Sequence, residues 1–185
     1  MRVSDSVDSG DLIKFTLDEL KAYTGSFNNS KFIGRGAFGP VYHGVIQGRQ
    51  QERNANGQHV AVKCSRNKLE QAMIQGQAEI EYLPKAMHQN IIKLIGYCET
   101  QEKFYLVYAF MRNGTVLDKL TGLDWNKTIR IIKGVACAIQ KLHGLTPPLI
   151  HRDLKLDNIL LDKDFTPKLA DFGRVTPEEE HVESE

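Results

Sequence analysis

The hydrophobic pattern of this chain changes character at Asn113-Gly114, and this change constrains the fold most strongly. Before it, short β-prone runs surround one long stretch of helical periodicity at 68–87. These runs lie at 31–33, 41–46, 59–64, 91–95 and 104–108. After it, apolar residues recur at helical spacing across 125–143, with Asp124 as a candidate N-cap. The pattern predicts an α+β fold: an antiparallel five-stranded N-terminal lobe with one long helix, then the first, incomplete part of a helical C-terminal lobe.

The two helical stretches each carry an apolar stripe, and we expect the first stripe to face the core. In the first, the stripe consists of Met73, Gly76, Ile80, Leu83 and Met87. In the second, it consists of Ile129, Ile132, Val135, Ile139 and Leu142. Short strands are expected after Pro147-Pro148, near Ile150 and at 159–161 and 168–170.

Four segments are expected along the chain. The first includes a short helix, because Thr16 and Glu19 have capping-box spacing while Phe15 and Leu20 stand at hydrophobic-staple positions. This helix should end near Thr24-Gly25. The segments are an N-terminal extension at 1–28, the N-terminal lobe at 29–112, a partial C-terminal lobe at 113–175 and an acidic, mobile tail at 176–185.

Composition excludes several classes of protein. Hydrophobic residues make up 41% of the chain and charged residues 25%, as in folded globular domains. The formal net charge of +1 does not favour nucleic acid as a partner. The three cysteines lack C-x-x-C spacing, and the six histidines lack the spacing of a transition-metal site. Without a signal core or an apolar run of about 20 residues, we expect no membrane span and a cytoplasmic protein.

The glycines Gly34, Gly36 and Gly39 form a G-x-G-x-x-G pattern. Such glycines let backbone N–H groups approach phosphate oxygens. A dinucleotide site would require a helix after them, but the β-prone run at 41–46 follows, so they lie at the tip of a hairpin. An ordinary glycine turn is the alternative reading.

Lys63 ends the apolar run at 59–64, and Glu79 lies on the first helical stretch beside its apolar stripe. A carboxylate near a core-facing stripe needs a partner, because removing an unpaired carboxylate from water costs roughly several kcal/mol. Lys63 could be that partner and could also present its ammonium to phosphate oxygens. The alternatives are an edge charge for Lys63 and a solvated helix face for Glu79.

The stretch 151–158, His-Arg-Asp-Leu-Lys-Leu-Asp-Asn, has the residue types that phosphoryl transfer requires. The Asp153 carboxylate can orient an attacking hydroxyl and accept its proton, and Lys155 can neutralise the migrating charge. The Asn158 amide oxygen can hold a metal ion. A polar loop without function is the alternative. Asp171, in the Asp171-Phe172-Gly173 tripeptide, offers a carboxylate for Mg²⁺.

The chain resembles the protein kinase family from about Phe32 to Gly173, because five elements occur in the order and spacing of that family. They are the glycine pattern, Lys63 at the end of its apolar run, Glu79, the stretch 151–158 and the Asp171-Phe172-Gly173 tripeptide. The resemblance implies that the chain binds ATP and Mg²⁺, with Asn158 and Asp171 as metal ligands. The adenine would lie between Ile33, Val41, Ala61 and Leu160, and residues 109–111, including Ala109 and Met111, would form the hinge beside the gatekeeper Tyr108. Leu83, Leu94, His151 and Phe172 would form an apolar column between the lobes.

Finer features resemble the plant receptor-like and interleukin-receptor-associated kinase group. They are Phe15 to Leu20, Leu94-Ile95-Gly96-Tyr97-Cys98, Leu106-Val107-Tyr108, Asn113-Gly114-Thr115 and Leu123-Asp124-Trp125. With Lys155 two residues after Asp153, the resemblance favours a Ser/Thr kinase that transfers the γ-phosphoryl group of Mg-ATP to proteins in plant-type signalling. It also suggests a cytoplasmic member, with peripheral association with the plasma membrane left open.

The family pattern continues beyond Gly173 with an activation segment, an A-P-E motif and further helices, so we expect a truncated kinase. Without those helices, Ile132, Val135 and Ile139 would form an exposed apolar patch through which the chain could associate. Whether this chain transfers phosphate by itself stays open. A non-catalytic interaction module, acting as a scaffold or decoy in immune signalling, is the alternative function, and a fragment without a stable fold is the third.

Overall fold

The computed structural model describes residues 12–36, 38–47, 57–66 and 70–178. The N-terminal lobe is a six-stranded sheet with strand order β1-β5-β6-β4-β3-β2. Its strands are β1 (Ile13–Lys14), β2 (Phe32–Arg35), β3 (Pro40–Val45), β4 (His59–Cys64), β5 (Leu94–Glu99) and β6 (Phe104–Ala109). Its helices are α1 (Leu17–Thr24) and α2 (Glu70–Lys85). The predicted α+β fold is confirmed.

Strands β2 to β6 pair antiparallel, as the sequence predicts. The sixth strand, β1, was not predicted and pairs parallel with β5. It approaches Gly96 so closely that a Cβ there would lie 2.0 Å from the carbonyl oxygen of Ile13. Strand β5 begins at Leu94 rather than at residue 91, because the backbone of Asn90 and Ile92 forms hydrogen bonds with Leu169 instead.

Helix α1 begins where the capping box predicts. The Thr16 hydroxyl accepts a hydrogen bond from the Glu19 amide, and the Glu19 side chain accepts one from the Thr16 amide. Gly25 ends the helix in the left-handed conformation, at φ 61°. Phe15 and Leu20 are buried in one core cluster with residues of β4, β5 and β6. The described part of the extension, from residue 12 onward, therefore packs against the sheet of the lobe.

Helix α2 contacts β5 and β6. Of its predicted stripe, Gly76 and Leu83 are buried, and a Cβ on Gly76 would lie 2.7 Å from the Phe104 ring. Met87 was predicted on the stripe but follows the end of the helix and is 60% exposed. The predicted start at residues 68–69 lies outside the described residues.

The C-terminal part contains α3 (Val116–Lys119) and α4 (Trp125–His143), together with the strands β7 (Leu149–Ile150), β8 (Ile159–Leu161), β9 (Pro167–Leu169) and β10 (Thr176–Pro177). Strand β8 pairs antiparallel with β9, and β7 with β10. The helix α4 has the bounds that the sequence predicts, because Asp124 caps its first turn through the Lys127 amide.

The buried residues of α4 are Ile131, Gly134, Ala138 and Leu142. The exposed apolar patch expected on this helix is present in part, because Ile132 is 58% exposed whereas Val135 and Ile139 are half-buried. The small residues Gly134 and Ala138 let the helix approach β9, and this close approach decides which face is buried. Of the five large apolar residues at helical spacing, Leu142 is the one that is buried.

Two hydrogen bonds join the linker before β5 to β9. The Ile92 amide donates to the Leu169 carbonyl at 2.9 Å, and the Leu169 amide donates to the Asn90 carbonyl at 2.8 Å. These bonds connect the N-terminal lobe to the C-terminal part of the chain.

The predicted tail does not begin at residue 176. Thr176 and Pro177 pair with Leu149–Ile150, and the Glu178 amide donates to the Pro148 carbonyl. Residues 179–185 and most of the predicted polar loop at 47–58 lie outside the described residues. In the described part of the chain, no helix is both long and apolar enough to cross a membrane.

Candidate active site

Lys63, on β4, lies between two carboxylates from distant parts of the chain. Its Nζ atom is 3.1 Å from Glu79 Oε1 on α2 and 2.9 Å from Asp171 Oδ1 after β9. Glu79 is fully buried, and Lys63 is only 9% exposed. The pairing that the sequence suggested for Lys63 and Glu79 is present, and Asp171 shares it.

The ammonium of Lys63 is stabilised in its charged form. Burial lowers its pKa, but the charges of Glu79 and Asp171 outweigh this effect, so that the pKa is raised overall. The ring of Phe38 adds a further contact, with its centroid 5.0 Å from Nζ. Lys63 is thus held in its charged form between two carboxylates. It can bind phosphate oxygens once one of these carboxylates binds another ligand.

Tyr108, on β6, contacts the same glutamate. Its hydroxyl donates a hydrogen bond to Glu79 Oε2 at 2.5 Å. Burial and the Glu79 charge raise the pKa of Tyr108 well above its ordinary value, so the hydroxyl stays a donor. Glu79 therefore has one partner on each oxygen. No sequence motif indicates this bond, since the partners are 29 residues apart.

The catalytic-loop candidates converge on Asp153. Lys155 Nζ lies 2.7 Å from Asp153 Oδ2, and Asn158 Nδ2 donates to the same oxygen at 2.9 Å and to the Asp153 carbonyl at 2.8 Å. The hydrogen bond from Lys155 lowers the pKa of Asp153, with a smaller contribution from Asn158, while burial opposes the shift. The carboxylate is thus ionised and held in place at neutral pH.

His151 supports this loop from behind. Its Nδ1 accepts a hydrogen bond from the Asp153 amide, and its Nε2 lies 3.0 Å from the Ala170 carbonyl. Because one nitrogen accepts and the other donates, these bonds require the neutral ring. Burial lowers the pKa of His151, which favours that form.

The apolar column expected between the lobes is present. The rings of His151 and Phe172 meet edge to face, with centroids 5.2 Å apart. Phe172 is fully buried in one cluster with Leu83 and Leu94. Asp171 has φ 62°, a left-handed conformation that is uncommon for a residue other than glycine. This backbone turn places the Asp171 carboxylate on Lys63 while the next side chain, Phe172, enters the core.

The glycine pattern forms the β2–β3 turn, as predicted. The Gly36 amide donates to the Gly39 carbonyl at 3.0 Å. A Cβ at Gly39 would lie 2.0 Å from the Cys64 carbonyl oxygen, so no side chain fits there. At Gly34 and Gly36 a Cβ would meet nothing within 4 Å, so these two positions border open space.

The residues expected around the adenine lie on neighbouring elements. Val41 is paired with Lys63 across β3 and β4, and Ala61 with Tyr108 across β4 and β6. Ile33 is 46% exposed on β2. Leu160, on β8, and Met111 pack against the same core cluster as Tyr108, and Ala109 ends β6. The sheet register thus groups Val41 and Ala61 on the face that carries Lys63.

The atoms beside this face that could bind a metal ion are oxygen atoms. Lys63 engages one oxygen of Asp171, and the amide nitrogen of Asn158 engages Asp153. No donor in the described part of the chain reaches the second carboxylate oxygen of Asp171 or the side-chain oxygen Oδ1 of Asn158, and oxygen ligands suit Mg²⁺. Among the described residues, no group of three or more His, Cys, Asp or Glu side chains could hold a metal alone. A site completed by substrate oxygens fits this set.

The comparison with known families decides the identity. A family model described as a protein kinase domain matches residues 27–184. The chain belongs to the protein kinase family. Its similarity to plant receptor-like kinases, expected from the finer sequence features, is also confirmed.

Three relatives illustrate the similarity. A probable leucine-rich repeat receptor-like protein kinase of Arabidopsis thaliana is 38% identical over 91% of this kinase chain, which covers 18% of the relative. The cysteine-rich receptor-like protein kinase 6 of Oryza sativa subsp. japonica is 38% identical over 92% of the chain and is covered over 24% of its length. The probable serine/threonine-protein kinase PBL5 of Arabidopsis thaliana is 37% identical over 94% of the chain and is covered over 41%. The chain therefore spans less than half the length of these relatives.

Proposed function

We propose that this chain carries the nucleotide site and phosphoryl-transfer residues of a Ser/Thr protein kinase. The observation that carries the proposal is the contact of Lys63 with both Glu79 and Asp171. The contact joins β4, α2 and the segment after β9, so a phosphate-binding cation and a metal-binding carboxylate lie side by side. In this account the nucleotide lies beneath the β2–β3 turn, and its phosphates face Lys63.

The hinge supplies recognition of the adenine. Within the described part of the chain, the Met111 amide has no backbone acceptor, whereas the Ala109 amide donates to the Lys93 carbonyl at 3.1 Å. The Met111 amide is therefore free to donate to a ring nitrogen of the base. Apolar contacts from Val41, Ala61 and Leu160 would exclude water from both faces of the ring.

Asp171 and Asn158 would hold Mg²⁺, which when bound offsets negative charge on the ATP phosphates. Asp153 orients the hydroxyl of a Ser or Thr side chain and accepts its proton as the oxygen attacks the γ-phosphorus. The bond from that phosphorus to the bridging oxygen breaks, and ADP leaves with the electron pair. Lys155, already 2.7 Å from Asp153, stabilises negative charge on the phosphoryl group in transit.

None of the candidate catalytic or metal-binding positions carries a substituted residue: Lys63, Glu79, Asp153, Lys155, Asn158 and Asp171 all match the kinase pattern. This supports an enzyme over a non-catalytic interaction module. Similarity to plant receptor-like kinases supports signalling as the context and a protein as the phosphate acceptor.

Transfer of labelled γ-phosphate from Mg-ATP to matched Ser, Thr and Tyr peptides tests the proposal. We expect Ser and Thr peptides to be labelled and the Tyr peptide not to be. Asp153→Ala should abolish labelling while leaving ATP binding intact, because the carboxylate acts on the acceptor hydroxyl. Labelling that survives Asp153→Ala, or ATP binding without any transfer to a Ser, Thr or Tyr peptide, would refute it.

A further inference from the structure

A groove of about 450 Å³ lies along α4 where the helix passes β9, among residues that have no part in the proposed chemistry. Ile129, Gly134 and Pro167 contribute apolar lining, and Arg130, Lys133 and Cys137 also border it. Its volume is within the range of specific ligand pockets. The groove is therefore large enough to receive side chains of a partner.

One wall of the groove is closely packed. A Cβ on Gly134 would lie 2.4 Å from Cγ of Pro167 and 2.7 Å from the Asn90 amide nitrogen, so helix and strand are in close contact. The buried Asn90 side chain donates to the Pro167 carbonyl at 3.0 Å and fixes the strand against the helix. A partner would bind a preformed surface and would pay little ordering entropy on the side of the kinase.

The charged side chains in the described lining of the groove are both basic. Among the described residues that line it, the ionisable ones other than the thiol are Arg130 and Lys133, and no carboxylate is present. Neighbouring lysines are neutralised, since Lys127 pairs with Asp124 and Lys168 with Asp162. Within the described part of the chain, Arg130 has only a hydrogen bond of 3.4 Å to a backbone carbonyl, and Lys133 has no ion pair. Two cations beside an apolar surface are thus left without counter-charges.

The groove is distinct from the exposed apolar face of α4. Arg130, Lys133 and Cys137 are three and four residues apart and share one face of the helix, whereas Ile132 lies on another. A partner that covered Ile132 would leave the groove open.

We propose that this groove docks a linear segment of a partner protein in which apolar side chains are flanked by carboxylates. The apolar side chains would contact Ile129 and Pro167, and the carboxylates would pair with Arg130 and Lys133. Electrostatic complementarity of this kind selects acidic over basic segments. The proposal goes beyond phosphoryl transfer, and its test does not require catalysis.

Three fluorescein-labelled peptides serve as probes: Glu-Glu-Leu-Glu-Leu-Glu-Glu, the same peptide with Lys for Glu, and the same peptide with Gly for Leu. Fluorescence anisotropy with the full chain should detect binding of the first peptide, and weaker or no binding of the other two. Arg130→Glu combined with Lys133→Glu should weaken binding of the first peptide by about tenfold or more. Lys21→Glu combined with Lys103→Glu, on exposed positions of the N-terminal lobe, makes the same charge change and should leave binding unaltered.

Cys137 gives a second readout in the native sequence. It is exposed, whereas Cys64 and Cys98 are buried, and burial raises the pKa of both buried thiols. Alkylation by iodoacetamide should therefore occur at Cys137 first and should slow when the acidic peptide is bound. Failure of the acidic peptide to bind, equal binding by the groove variant, or unchanged labelling of Cys137 would overturn the proposal. Protection of Cys137 that grows with protein concentration without peptide would also overturn it, by assigning the groove to a second copy of the chain.

Discussion

The hydroxyl of Tyr108 donates to one oxygen of Glu79 at 2.5 Å, and Lys63 Nζ lies 3.1 Å from the other oxygen. A fully buried carboxylate is thereby held by a strand residue on each side. Because α2 carries Glu79, these two contacts also fix the helix against the sheet. The position of α2 thus depends on a hydroxyl as well as on an ion pair.

Tyr108→Phe should therefore destabilise the fold while keeping the aromatic ring. We expect a loss of about 1.5–3 kcal/mol in the free energy of unfolding, because a buried charged acceptor loses a donor. Urea denaturation followed by circular dichroism measures this loss. Tyr97→Phe is the matched control, since Tyr97 is half-buried and stacks on Phe104, and its effect should stay within about 0.5 kcal/mol. Equal effects of the two changes would contradict the assigned role of the hydroxyl.

Gly96→Ala should separate β1 from β5. The added Cβ would lie 2.0 Å from the Ile13 carbonyl oxygen, so the extension must move. Overpacking of this kind costs about 1–3 kcal/mol. Hydrogen exchange at the Phe15 amide, which donates to the Tyr97 carbonyl at 2.8 Å, should accelerate.

Gly122→Ala is the control for this change, because a Cβ there meets nothing within 4 Å. Its amide exchange pattern around β1 should match that of the wild type. Unchanged protection of Phe15 in Gly96→Ala would show that β1 does not depend on the glycine.

The Asp153–Lys155 pair predicts a measurable pH dependence. The pKa of the Asp153 carboxyl is lowered in the folded state, from about 3.9 in an unfolded chain. The interaction therefore stabilises the fold above that ordinary value and is lost as pH falls through the lower folded value. Carbon-13 NMR of the carboxyl carbon should report a pKa below the ordinary one in wild type and a higher value in Lys155→Met.

Lys163→Met is the comparison for this titration, because Lys163 pairs with Asp164 instead. It should leave the titration of Asp153 unchanged. An Asp153 pKa that does not rise in Lys155→Met would remove Lys155 from its proposed electrostatic role.

Local signals in the sequence were sufficient for many elements. The helix α4 was predicted with its observed bounds because Asp124 can cap it and Pro147-Pro148 follows its end. The contact of Lys63 with Glu79 was predicted because a carboxylate beside an apolar stripe needs a partner, whereas the contact of Lys63 with Asp171 was not predicted. The two-residue strand β1 could not be predicted, since it carries no periodicity and depends on the close approach to Gly96.

Other features depended on contacts between distant residues. The buried face of α4 includes Gly134, which packs against Pro167 and Asn90, and the periodicity of the large apolar residues does not reveal this contact. The bond between Tyr108 and Glu79 joins a strand to a helix, and no motif encodes it. In each case the register between separate elements decides the contact.

Binding of Mg-ATP to the chain is the most direct test of the central claim. At about a hundred times its dissociation constant, the nucleotide should add roughly 2.7 kcal/mol to the free energy of unfolding and raise the thermal midpoint. Lys63→Met and Asp171→Asn should each reduce this rise, while Lys103→Met, on the outer surface, should retain it. A cooperative transition that shifts upward in wild type and less in the two site variants is the predicted result. A cooperative transition that Mg-ATP does not shift, or that shifts equally in all four proteins, would contradict the account.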